Sequence, residues 1–133
     1  MKTIQIVAVV AVILGSGLVL RTALGQQPGI TRTDLQKHDL SVPGREVIQV
    51  RVDFAPGAAF PKHTHPGEEI VYVTDGSLEY QIEGKPTSTV KGGQAVFIPA
   101  GTVHAVRNAS NSTASELATY VVEKGKPLVA WVK

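Results

Sequence analysis

In the segment VIQVRVDF, residues 47–54, apolar side chains fall at every second position. Ile48, Val50, Val52 and Phe54 point one way, and Gln49, Arg51 and Asp53 the other. A repeat of two is that of a strand with one buried face. Shorter segments of the same kind follow over 70–74, 78–82, 88–90, 94–98, 102–107, 116–122 and 129–132. They are separated by Asp75-Gly76, Lys91-Gly92-Gly93, Pro99-Ala100-Gly101 and a Ser/Asn-rich loop over 108–115. Asp-Gly between two such runs predicts a hairpin joining 70–74 to 78–82. No segment after Gly25 shows a stripe of period 3.6. Seven or eight short strands between residues 47 and 132 predict an all-β sandwich or barrel, in which closure removes exposed strand edges.

The beginning of the chain is different. Lys2 precedes an apolar run from Ile6 to Leu14, Gly15-Ser16-Gly17 loosens it, and Ala23 and Gly25 place small residues where a signal peptidase would cut. Residues 1–25 are therefore expected to be a secretory signal peptide, with export to a periplasm or the exterior. The rival reading is an uncleaved membrane anchor over 4–20, since apolar character continues through Leu18, Val19 and Leu20. Residues 26–46 read as a polar arm. Its Leu35, Leu40 and Val42 are too sparse to specify a helix or strand, and it is expected to wrap the domain, 47–133, or to pair with another subunit.

Charge narrows the function classes. Thirteen basic and eleven acidic residues show no block of either sign, and losing Lys2 and Arg21 with the leader would leave eleven of each. That argues against a nucleic-acid surface, and a cleaved leader leaves no membrane partner. With no cysteine, disulfides, thiolate metal sites and cysteine nucleophiles are excluded.

Candidate chemistry concentrates at HTHPGEE, residues 63–69. Two of the four histidines, His63 and His65, stand two apart, which in extended chain puts both imidazoles on one face. Pro66-Gly67 lets the chain bend and re-enter as the next strand, bringing Glu69 to the same point. His104, just past a second Pro-x-Gly turn, is the candidate third nitrogen. Three imidazoles and a carboxylate suit Fe, Mn, Cu, Ni, Co or Zn. Taken singly, each has a plainer reading: His-x-His as solvated strand, Glu68-Glu69 as exposed acid, His104 as a core histidine.

The joint spacing resembles the two motifs of the cupin family. Gly57, His63, His65, Glu69 and Gly76 match the first; Gly93, Pro99, Gly101, His104 and Asn108 match the second, with every gap correct. The resemblance covers residues 47–122 and is closest to the small quercetin-dioxygenase-like cupins. It implies a single jelly-roll barrel holding a divalent metal through His63, His65, Glu69 and His104, with Glu69 rather than Glu68 as the carboxylate. It also implies pairing of barrels into a homodimer, for which the arm would be the strand donor. The function it implies is that of a metal-dependent, dioxygenase-like oxidoreductase acting on a small anionic or phenolic molecule. The alternatives are a non-catalytic binder of metal or small ligand, and a metal-assisted isomerase or decarboxylase.

Around this set, Tyr72, Tyr80 and Tyr120 are expected to pack, and Lys62 and Arg107 to face solvent. Asn108 is expected to be a turn residue, His38 to lie on the surface, and Trp131 to plug the barrel or meet a second subunit. No catalytic residue beyond the ligands is assigned.

Overall fold

The computed structural model describes residues 27–133, so the leader or anchor expected over 1–25 lies outside the described residues. Among the described residues there are ten strands: β1 (Ile30–Asp39), β2 (Arg45–Phe54), β3 (Ala59–Thr64), β4 (Gly67–Asp75), β5 (Ser77–Ile82), β6 (Ser88–Lys91), β7 (Ala95–Ile98), β8 (His104–Arg107), β9 (Ala114–Glu123) and β10 (Ala130–Trp131). They form two five-stranded sheets, ordered β1-β2-β9-β4-β7 and β10-β3-β8-β5-β6, with every pairing antiparallel. This is the all-β, double-sheet jelly roll that the strand spacing and the family resemblance implied.

Between the sheets the core is built by parity. Val50, Val52 and Phe54 on β2, Val71 and Val73 on β4, and Ala118 and Val122 on β9 meet Phe60, Leu78, Ile82 and Val106 from the second sheet, all buried. Alternate residues, such as Ile70 and Tyr72 on β4 and Phe97 on β7, face outward.

Two expectations are corrected. Asp75-Gly76 is not a hairpin: β4 and β5 belong to different sheets, and the single residue Gly76 separates them. One residue is too short for a two-residue hairpin loop, but at φ +70° it turns the chain from one sheet into the other. The second concerns residues 26–46, where no strand was specified. Residues Ile30–Asp39 of this arm are β1, laddered to β2 of the same chain from Ile30↔Phe54 to Asp39↔Glu46, with a bulge between Asp34 and Gln36. Of its ten residues only Ile30 is buried, so an edge strand held by backbone bonds left no apolar alternation to read.

Gly67 fixes how β4 enters the sheet. A Cβ there would stand 2.0 Å from the Val121 carbonyl oxygen and 2.7 Å from Val122 Cα, both backbone atoms of β9. Neither can rotate away, so Gly67→Ala is expected to cost about 2–4 kcal/mol in urea unfolding. A cost below about 0.5 kcal/mol would show that β4 slides freely on β9.

Asn108 ties the loop before β9 to the strand end opposite. It is fully buried; its Nδ2 donates to the carbonyls of Phe54, Ala55 and Ser112, and its Oδ1 accepts from the backbone N and the hydroxyl of Ser110. Asn108→Ala strands those carbonyls and is expected to cost about 2–4 kcal/mol, read by thermal unfolding. A drop of less than about 1 kcal/mol would mean the loop is held otherwise.

Candidate metal centre

Strand parity and one cross-strand pair assemble the centre. His63 on β3 and His65 just beyond its end point inward two residues apart, with ring centroids 4.8 Å from each other. His104, the first residue of β8, is the register partner of His63, and their rings stand 4.1 Å apart. Within β3, Pro61 sits at the register shift between Phe60 and His63, where a missing N–H is tolerated.

Each ring is aimed by a backbone carbonyl. His63 Nδ1 lies 2.6 Å from Pro61 O, His65 Nδ1 2.6 Å from Leu128 O, and His104 Nδ1 2.9 Å from Thr102 O. A carbonyl can only accept, so in all three rings Nδ1 carries the proton and Nε2 presents its lone pair inward. One ligand atom from each of the three lies within 4.8 Å of the others. Glu69, inward on β4, adds its Oε2 at 3.0 Å from His104 Nε2 and 3.2 Å from His65 Nε2. All four residues are buried.

These atoms are all acceptors when the rings are neutral. His65 Nε2 is buried without a hydrogen-bond partner. Burial, together with His104, depresses the His63 pKa to about 3, against the opposing pull of the Pro61 carbonyl and Glu69, so that ring is neutral near pH 7. Burial pushes the Glu69 carboxyl up, and what would hold it low is positive charge or donated hydrogen bonds at His104 and His65, which rings with inward lone pairs do not supply and a cation would. Lone pairs and a buried carboxylate packed at these distances call for a cation between them. The histidine cluster could hold a metal ion, and the hard and borderline donors suit a divalent transition metal.

Residues 50–127 match the family Cupin_2, described as cupin domain. The chain belongs to the cupin family. Among curated proteins this cupin is 34% identical over 110 residues to germin-like protein subfamily 2 member 2 of Arabidopsis thaliana, covering 77% of this chain and 48% of that protein. It therefore spans about half the length of that relative. Among solved structures it resembles oxalate oxidase in complex with the substrate analogue glycolate, at 28% identity and a TM-score of 0.64, over 81% of this chain and 58% of the other. It also resembles the DMSP lyase DddQ of Ruegeria pomeroyi, at 28% identity and a TM-score of 0.57, over 61% and 41% of the two chains.

The remaining candidates fall as parity directs. Glu68 lies on the opposite face of β4 from Glu69 and is only partly buried, Lys62 is exposed, and Arg107 is exposed and paired with Glu79 at 2.8 Å. His38 is on the surface, and Tyr72 faces outward. Trp131 packs on Phe60, ring centroids 5.1 Å apart, at the outer edge of β3. Tyr80 and Tyr120 are inside the barrel.

The sequence reading missed two residues, Glu116 and Arg32, which line a cavity of about 20 Å³ together with His63, Glu69 and His104. Glu116 had a signal: it shares parity with Ala118, Tyr120 and Val122, the buried face of β9. Arg32 had none, because it lies on β1.

Proposed function

We propose that this cupin holds one divalent transition metal through His63, His65 and His104, with Glu69 as the fourth ligand, and acts as a metal-dependent oxidoreductase on a small anionic molecule. The observation that carries the metal is the set of three Nδ1–H···O=C bonds, which turn three Nε2 lone pairs inward, two of them onto one buried carboxylate oxygen. The direction of the chemistry is supported by the likeness to oxalate oxidase. A bound ion of this kind supplies Lewis acidity and, for a redox metal, an electron route to dioxygen.

The chain's own residues do the rest. Glu69 offsets one of the ion's two charges, which leaves the site favouring an anionic ligand. Phe60, Val52, Phe54 and Val106 supply the apolar part of the cavity wall. Its volume of about 20 Å³ suits a ligand of a few atoms and argues against a flavonoid-sized phenol. We further propose that the protein works after export, as the leader-like residues 1–25 suggest, and that barrels pair as homodimers.

Elemental analysis of protein purified from its export compartment without added metal tests the site. About one Fe, Mn, Cu, Ni or Co per chain is expected, and none in the His63→Ala/His104→Ala double variant. Oxygen consumption on small carboxylates and phenols then tests the reaction. Metal-free wild type sinks the ligand set; bound metal with no turnover leaves a binding protein.

A further inference from the structure

The barrel contains a second buried polar centre that the metal ligands do not use. On the inner face of the first sheet, cross-strand partners form two rows. One runs Ile48–Tyr120–Glu69 across β2, β9 and β4 and belongs to the metal centre. The other, four residues away along the strands, runs Arg32–Val52–Glu116–Val73 across β1, β2, β9 and β4. From the facing sheet Tyr80, two residues along β5 from the partner of His104, donates its hydroxyl to Glu116 Oε2. The second oxygen of Glu116 has no partner among the described residues.

That oxygen is not sealed away: His65 Nε2 is the one buried orphan among the described residues, so the free oxygen of Glu116 stands open at the cavity wall. Glu116 is 3% exposed and lines the same cavity as His63, Glu69 and His104. Arg32, half-buried with its guanidinium 6.0 Å from the Tyr120 ring centroid, brings a positive charge to that cavity.

We propose that Glu116, oriented by Tyr80, is the ligand-recognition residue of this barrel: a small carboxylate held at the histidine cluster takes a hydrogen bond from the free oxygen of the Glu116 carboxyl group, with Arg32 supplying the charge. Glu116 can donate because it keeps its proton. Burial raises its pKa above the ordinary 4.5, against the hydrogen bond from Tyr80 and the charge of Arg32. Two acceptors that would otherwise repel are thereby joined through one proton. Tyr80 is a positioning residue; Glu116 is the one that touches the ligand. The inference rests on the metal reading above, since the histidine cluster holds the ligand's other end.

The test titrates formate, a carboxylate small enough for the cavity, into Co(II)-loaded protein and follows the visible absorption of the ion. Wild type, Glu116→Gln and Glu116→Leu are compared at equal cobalt content. Glu116→Leu, which cannot donate, is expected to bind formate about 10- to 100-fold more weakly. Glu116→Gln, whose amide can donate, should stay within about threefold of wild type. Infrared spectroscopy gives a readout that needs no folded leucine variant. A protonated-acid carbonyl band, absent from Glu116→Gln, should move when formate is added to wild type. Equal formate affinity in all three proteins, no formate binding by wild type, or an unmoved carbonyl band overturns the role of Glu116 alone. A wild type that takes up no cobalt overturns the metal centre and this inference together.

Discussion

Chelating the metal-loaded protein is expected to lower its melting temperature by about 15 °C or more. An ion at a thousandfold excess over its dissociation constant stabilises the fold by about 4 kcal/mol, and each kcal/mol moves the midpoint of a domain this small by roughly 4–8 °C. The ion also relieves a specific conflict: without it, the orphaned Nε2 of His65 and the buried Glu69 carboxylate face each other as acceptors. In the His63→Ala/His104→Ala variant, added metal should leave the midpoint unchanged. Scanning calorimetry with and without chelator reads both, and coincident melts of loaded and stripped wild type would sink the metal centre.

The second large effect is an alkaline loss of stability that Glu116→Gln abolishes. Burial and the Glu69 charge raise the Glu116 pKa from its ordinary 4.5 to about 8. Between those values the folded chain keeps a proton that the unfolded chain has released. The stability this group contributes is therefore complete below about pH 4.5 and is withdrawn as pH rises through about 8. For a fully buried carboxyl group the loss is on the order of 2–5 kcal/mol, the upper figure being 1.36 kcal/mol for each tenfold change in proton affinity. His63 works in the opposite direction: its stability is present above its ordinary 6.5 and lost as pH falls towards about 3. Stripped wild type should accordingly be most stable between these limits. Urea midpoints of the stripped proteins at pH 6 and pH 9 provide the check, with Glu116→Gln keeping at pH 9 what wild type loses. Parallel declines in the two proteins would mean Glu116 is already ionised at pH 6.

What could be read in advance follows from how each feature is encoded. β2, β4, β5 and β9 announced themselves because burying one face writes a period of two into the chain. His63, His65, Glu69 and His104 were singled out because glycines and Pro99 stand at fixed distances from them. The sheet crossing at Gly76 was mistaken for a hairpin, since Asp-Gly favours a tight turn whether or not the flanking strands pair. β1 was invisible because an edge strand with only Ile30 buried owes its place to backbone bonds that any sequence can make. Glu116 was legible by parity with Tyr120 and Val122, yet an acid in a strand of apolar neighbours reads as exposed until its partner Tyr80 is seen across the barrel.

The bond from His65 Nδ1 to the carbonyl of Leu128, and the pairing of Trp131 with His63, join residues more than sixty positions apart. During synthesis, which delivers the N-terminal portion first, the His-x-His pair emerges long before the segment that aims it. A nascent chain can therefore offer an ion two loosely held imidazoles, but not the oriented set. Closing so long a loop is also among the slower steps of folding. The oriented set is therefore complete only when residues 128–131 have docked on β3, so tail docking and ion affinity are coupled.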